Sequence, residues 1–181
     1  MRLSTDSVFD HLSALLAYPQ KGYHQQVEVA RAALAKECPA ASVHVTEFAA
    51  AVRSLTLEEL EELFTRTFDM NPVCILEVGW QLYGDEYKRG EFLVKMRQSL
   101  DRHNLTSSTE LPDHLTQILP LLDRLPPDEA RTLAREYVAP AVRKMLAGIE
   151  GKRNPFGNVI QAVREAMEVQ AASGPQEVSR D

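Results

Sequence analysis

Thr56-Leu57-Glu58-Glu59-Leu60-Glu61-Glu62-Leu63-Phe64-Thr65-Arg66-Thr67-Phe68 carries the pattern that decides the fold class. Thr56 and Glu59 have the spacing of a capping box, in which hydroxyl and carboxylate satisfy each other's backbone donors at a helix start. Leu57, Leu60, Leu63, Phe64 and Phe68 then recur at helical spacing and put one apolar stripe opposite a glutamate-rich face. The same period runs through the rest of the chain. Upstream, a helix over Thr5–Ala17 carries Val8, Phe9, Leu12, Leu15 and Leu16, with Asp6 or Ser7 as cap and Pro19 as stop. Further helices are expected over Tyr23–Glu37 and Val43–Arg53.

Downstream, Asn71-Pro72 restarts the chain, and a helix to Tyr83 is apolar nearly all round, the mark of a central buried element. Gly84 ends it, and Asp85 caps a helix reaching His103. Leu105–Ser108 reads as loop. Pro112 opens a short helix that Pro120 must end or kink. Pro126-Pro127-Asp128 starts a long helix, kinked near Pro140. Asn154-Pro155 starts a last helix to Ala171, and the polar tail 172–181 is expected to be disordered. No segment alternates with period two. The expectation is an all-α fold, one compact domain of eight to nine helices over residues 1–171.

The chain has 181 residues and a net charge of −6, a size suited to one domain. Between Glu58 and Asp69 five acids face one base, Arg66, whereas Arg124 to Arg164 holds eight bases and four acids. An acidic total argues against general nucleic-acid binding, which needs cations to displace counterions. The acidic face would instead attract a basic partner, or be simply solvated. Cys38 and Cys74 are the only cysteines and have no CxxC spacing, so both are expected reduced and buried, as in a cytosolic protein. The N-terminus lacks a secretory apolar core, and no stretch approaches the length of a membrane span, so the chain is expected to be cytoplasmic.

Catalytic signatures are missing: there is no GxxxxGK[ST], GxGxxG or GxSxG, and no pair of Glu-x-x-His motifs. The segment Glu110-Leu111-Pro112-Asp113-His114-Leu115 nonetheless sets three polar groups around one proline. Pro112 and Asp113 suit a first helical turn, where the dipole favours an acid. His114 suits it less unless the ring is neutral. Capping and a functional site are both open on these residues alone. Trp80 stands at helical offsets from Leu76, Tyr83 and Tyr87, and could be a core tryptophan or the floor of an aromatic groove. Asp113 and His114 could also be two ligands of a metal-dependent hydrolase, although a catalytic zinc usually takes three. An adaptor using only the acidic Glu58–Asp69 face is a further alternative.

Phe68-Asp69, then Leu82-Tyr83-Gly84-Asp85 with Arg89-Gly90, then Glu110–Leu115, occur in an order and spacing that resembles the dedicated chaperones of molybdenum oxidoreductases. Within that family the chain is most similar to the nitrate reductase delta-subunit (NarJ-like) branch and the chaperones of type II DMSO-reductase-family enzymes. The resemblance covers Val8 to Ala171. Phe64 departs from the tyrosine commoner at its position, and no extended acidic tail follows the last helix, so the branch stays open.

The resemblance implies an all-helical cytoplasmic protein without catalytic activity or a cofactor of its own. Its partner would be the catalytic subunit of a bis-molybdopterin guanine dinucleotide oxidoreductase, bound through an N-terminal or twin-arginine leader peptide while the cofactor is inserted. By position, Asp113 and His114 match the family's peptide-binding motif, flanked by Glu110 and Pro112, while Trp80, Tyr83 and Gly84 match the neighbouring helix end. It also implies no nucleic-acid partner, no membrane insertion, and a monomer or a dimer swapped at the loop before Glu110.

Overall fold

The computed structural model describes residues 7–105 and 108–172. Among them are ten α-helices: α1 (Val8–Leu15), α2 (Tyr23–Glu37), α3 (Pro39–Val52), α4 (Leu57–Phe64), α5 (Val78–Tyr83), α6 (Tyr87–Arg102), α7 (Leu115–Leu122), α8 (Pro127–Leu133), α9 (Ala139–Ile149) and α10 (Phe156–Ala172). A π-helical turn, Thr65–Asp69, extends α4, and another, Ala134–Val138, joins α8 to α9 in one continuous rod. The described residues thus form nine helical bodies with no strand, the all-α architecture expected. Thr5, Asp6 and the tail beyond Ala172 lie outside the described residues, as do positions 106 and 107 of the expected hinge loop.

Local chemistry explains most boundaries. The capping box at Thr56 is formed: Glu59 N–H donates to Thr56 Oγ1 at 3.2 Å, and Thr56 N–H to Glu59 Oε2 at 2.7 Å. Ser7 and Asp10 make a second box at the start of α1. Helix α3 starts at Pro39, four residues before the expected Val43. Proline costs nothing at the first helical position, and Cys38 alone turns the chain from α2 into α3 with φ −146° and ψ 78°. Helix α6 is entered through Glu86 rather than Asp85, with no side-chain cap.

The core is aromatic at its centre. Phe156 lies within 5.5 Å, centroid to centroid, of Phe48, Phe64 and Phe68. Edge-to-face geometry at Phe64 and Phe68 adds to simple burial. Helix α10 packs along α3 and α9, α3 along α2, and α1 against both α2 and α7. Both cysteines are free and buried. Among the described residues no helix is long and apolar enough to cross a membrane.

Two prolines behave differently from expectation. The irregularity expected near Pro140 falls just before it, at the π-helical turn, while Pro140 sits in the first turn of α9 where its missing donor is no loss. Pro120 lies inside α7, which runs on to Leu122. Pro120 has no N–H for the Thr116 carbonyl four residues back. The Ser13 hydroxyl of α1 donates to that carbonyl instead, at 2.9 Å. Ser13→Ala is therefore expected to cost about 1–2 kcal/mol by leaving a buried carbonyl unpartnered. Adding Pro120→Ala, which restores a donor, should make the loss of Ser13 nearly neutral; thermal melts of the single and double variants measure this coupling.

Candidate functional site

The sequence from Asn71 to Tyr83 folds differently from its helical pattern. Residues 72–74 form a turn, the chain bends at Leu76, Glu77 is extended, and only Val78–Tyr83 is helix. Gln81, buried, explains how this chain path is held: its Nε2 donates to the carbonyls of Val73 at 3.0 Å and Ile75 at 2.9 Å. Cys74 Sγ approaches the Met145 carbonyl at 3.6 Å, and Lys144 Nζ donates to the Gln81 carbonyl at 2.6 Å. The turn is thereby fixed between α5 and α9.

Glu77 and His114 meet in an antiparallel bridge, and from it two helices start. Val78 N–H donates to the Asp113 carbonyl at 2.8 Å, and Gly79 N–H to the Asp113 carboxylate Oδ2 at 3.1 Å. In return, Leu115 N–H, the first donor of α7, reaches the Leu76 carbonyl at 2.9 Å. Each segment supplies the acceptors that the other's helix needs, since the first amides of any helix lack partners within it. Asp113 therefore caps α5, 34 residues away, and not the helix that follows it. That helix starts three residues later than the expected Pro112, with His114 as its cap. Pro112 is buried in the turn before the bridge.

Asp113 is wholly buried (0% exposed). Arg89 Nε stands 3.6 Å from its Oδ2, and Arg89 Nη2 donates to Glu77 Oε2 at 2.8 Å. Burial pushes the Asp113 carboxyl above its ordinary range, opposed by Arg89 and by the backbone donors. Glu77 is raised as well, first by burial and then by the charge of Asp113, with Glu110 adding to it and Arg89 opposing. Asp113 and Glu77 thus flank one guanidinium, which also lies 5.3 Å over the ring of Trp80.

Gly79 makes this arrangement possible. A Cβ there would stand 2.6 Å from Asp113 Oδ2 and 3.0 Å from Phe92 Cδ1. His114 Nδ1 accepts from Thr116 N–H at 3.3 Å and lies 2.6 Å from Thr116 Oγ1, so the ring proton sits on Nε2. Burial holds this imidazole neutral, its pKa lowered from 6.5 to about 4.

The remaining site residues surround this centre. Trp80 is half-buried, outside the central core, and its Nε1 donates to the Pro72 carbonyl at 3.2 Å. The expected stripe of Leu76, Trp80, Tyr83 and Tyr87 does not exist as one face. Leu76 lies at a bend before the helix and is buried, while Tyr87 opens α6 and is 84% exposed. Tyr83 is half-buried, 6.2 Å from Phe92, and Gly84 (φ 58°) closes α5 by donating to the Trp80 carbonyl at 2.8 Å. Glu110 is exposed. Met70 and Val73, on either side of Asn71-Pro72 in the chain, and Leu111, next to Glu110, expose apolar surface.

Sequence reasoning missed Glu77, Gly79, Gln81 and Arg89 as parts of the site. A lone glycine in an apolar run signals close backbone approach, and that signal was present at Gly79. Glu77 was the one acid in the same run. For Gln81 no local signal exists. As for metal chemistry, among the described residues no three of His, Cys, Asp or Glu come together. Asp113 Oδ2 and His114 Nδ1 are already engaged with the backbone.

The nitrate reductase delta-subunit family model matches residues 31–156, most of the chain and every residue of the site. The chain belongs to the nitrate reductase delta-subunit family, whose members are assembly chaperones of molybdoenzymes such as nitrate reductase and not enzymes. Such chaperones work with the catalytic subunits of these enzymes. No curated protein sequence matches the chain at a significant level.

Proposed function

We propose that this chaperone binds the N-terminal or leader region of a molybdenum oxidoreductase catalytic subunit at the surface around Trp80, and holds that subunit while its molybdopterin cofactor is inserted. The observation that carries the reading is the bridge between Glu77 and His114. It holds Glu77, the start of α5 that carries Trp80, and His114 together, with Glu110 four residues before His114. Glu77 and Glu110 offer acceptors for the cationic groups of a basic peptide. Trp80, which holds the Pro72 carbonyl next to exposed Val73, offers apolar contact, which suits an amphipathic segment. The Nε2–H of His114 is free to donate to a peptide carbonyl. Asp113 has no exposed surface, so its part is to fix α5 and Arg89 under the site rather than to touch the client. Tyr83 and Gly84 shape the helix end, and Pro112 the turn. If the client carries a twin-arginine leader, its two guanidinium groups match the two accessible glutamates.

Trp80 is the only tryptophan of the chain, so its emission reports directly on the site. Glu77→Gln with Glu110→Gln is expected to weaken binding of the client's N-terminal peptide about tenfold or more, and to flatten its salt dependence. The helical circular dichroism should be unchanged, since neither carboxylate caps a helix. Equal affinity of parent and double variant would remove the electrostatic half of the reading.

A further inference from the structure

Two cavities adjoin on the face formed by α9, α10 and the turn at Ala134–Val138. One, of about 730 Å³, lies at the α9–α10 junction; the other, of about 810 Å³, runs toward α8; Arg143 and Arg164 line both. Together they exceed a compact small-molecule pocket and form an elongated cleft. None of the site residues described above lines it.

The cleft is paved with guanidinium groups. Arg131 pairs with Asp128, and Arg164 with Glu165. Arg135, Arg143 and Arg153 also line it, are exposed, and make no ion pair among the described residues. Glu136 and Glu150 are the unpaired acids of the same lining. Asp128 and Glu168 line it as well, so five arginines face four acids, and the unpaired charges are three arginines against two glutamates. Two polar atoms at the junction are buried without a hydrogen-bond partner, Gln161 Oε1, an acceptor, and Arg164 Nε, a donor that stands 3.8 Å from Glu168 Oε1. Buried polar groups of this kind are costly unless something satisfies them. The floor includes apolar surface from Ala139, Leu146 and Met167.

We infer that this cleft is a second docking surface, for an acidic, extended segment of a partner polypeptide. Carboxylates of such a segment pair with Arg135, Arg143 and Arg153, to which guanidinium presents matched forked donors. The elongated shape and the apolar floor favour a peptide over a small inorganic anion. The surface is opposite in charge preference to the Trp80 site, so one chain can hold a basic and an acidic segment at the same time.

The test uses the full chain and a short fluorescein-labelled peptide of alternating glutamate and leucine, with a lysine–leucine peptide as comparison. Fluorescence anisotropy is expected to show binding of the glutamate peptide, weakened about tenfold by Arg143→Glu or Arg153→Glu and unchanged by Lys36→Glu on α2, while any binding of the lysine–leucine peptide is not weakened by either arginine substitution. Because neither arginine carries an ion pair, thermal melts should match the parent. Hydrogen exchange should show protection on α9 and α10, with Trp80 emission unaltered. Equal weakening by Lys36→Glu would overturn the inference. So would undiminished binding to the arginine variants, or displacement by inorganic phosphate at the same concentration as free glutamate peptide.

Discussion

Gly79→Ala is expected to melt roughly 6–12 °C below the parent, corresponding to about 3 kcal/mol for a domain of this size. The new methyl would stand 2.6 Å from Asp113 Oδ2, 3.0 Å from Phe92 Cδ1 and 3.3 Å from Arg89 Cγ. Asp113 cannot yield cheaply, because it is wholly buried and its carboxylate and carbonyl hold the first two amides of α5. Overpacking alone costs about 1–3 kcal/mol. Pushing the carboxylate away from Gly79 N–H adds an unpaired buried donor of comparable cost. Gly90→Ala in exposed α6 is the control: a Cβ there meets nothing within 4 Å. It should stabilise by about 0.5–1 kcal/mol, the ordinary helix preference for alanine over glycine. Differential scanning calorimetry of the two variants separates a close-approach glycine from a tolerated one.

The second large effect is acid sensitivity at His114. Its pKa is lowered from 6.5 in the unfolded chain to about 4 in the fold by burial. The unfolded state therefore binds the proton first, and stability present above pH 6.5 is lost as pH falls toward 4. One such group contributes up to about 3 kcal/mol across that window. Asp113 and Glu77 act with the opposite sign. Their folded pKa values are raised, so their contribution is greatest when protonated and is lost as pH rises above the ordinary carboxyl range. His114→Asn isolates the histidine, since asparagine is a strong N-cap without a titrating proton. Denaturant unfolding of parent and variant between pH 7 and pH 4 should show curves that converge with falling pH, as the variant keeps the stability the parent loses. Parallel curves would mean that His114 is solvated and titrates normally.

The helix that opens the sequence argument, α4, was legible because everything that defines it is local. Thr56 and Glu59 are three residues apart, and the apolar stripe lies on the same segment. Ser7 at α1 was legible for the same reason. The stretch from Pro72 to Glu77 was not. Its apolar composition matches a buried helix, but its carbonyls are taken by Gln81 and its pairing partner lies beyond α6. Pro120 is comparable: a helix breaker by local rules, it persists in α7 because Ser13 of a distant helix takes the orphaned carbonyl.

At the site, residue identity was more legible than residue role. Asp113 read as the cap of its own helix, whereas it caps another. Trp80 read as either core or groove floor, and it stands half-buried between them, beneath Arg89. In each case the deciding contact is tertiary and leaves no mark on sequence spacing. The family match and the bridge place Glu110–Leu115 and Trp80–Gly84 within one matched segment.

The most direct test of the client-binding surface is a titration of Trp80 emission in the full chain. The ligand is a synthetic peptide with the N-terminal sequence of a molybdenum oxidoreductase catalytic subunit, chosen by a co-purification experiment with the chain as bait. The expected result is a saturable, one-to-one blue shift, weakened about tenfold by Glu77→Gln with Glu110→Gln and screened by salt. Binding of that peptide with unchanged Trp80 emission and undiminished affinity in the double variant would place the client elsewhere and contradict the account.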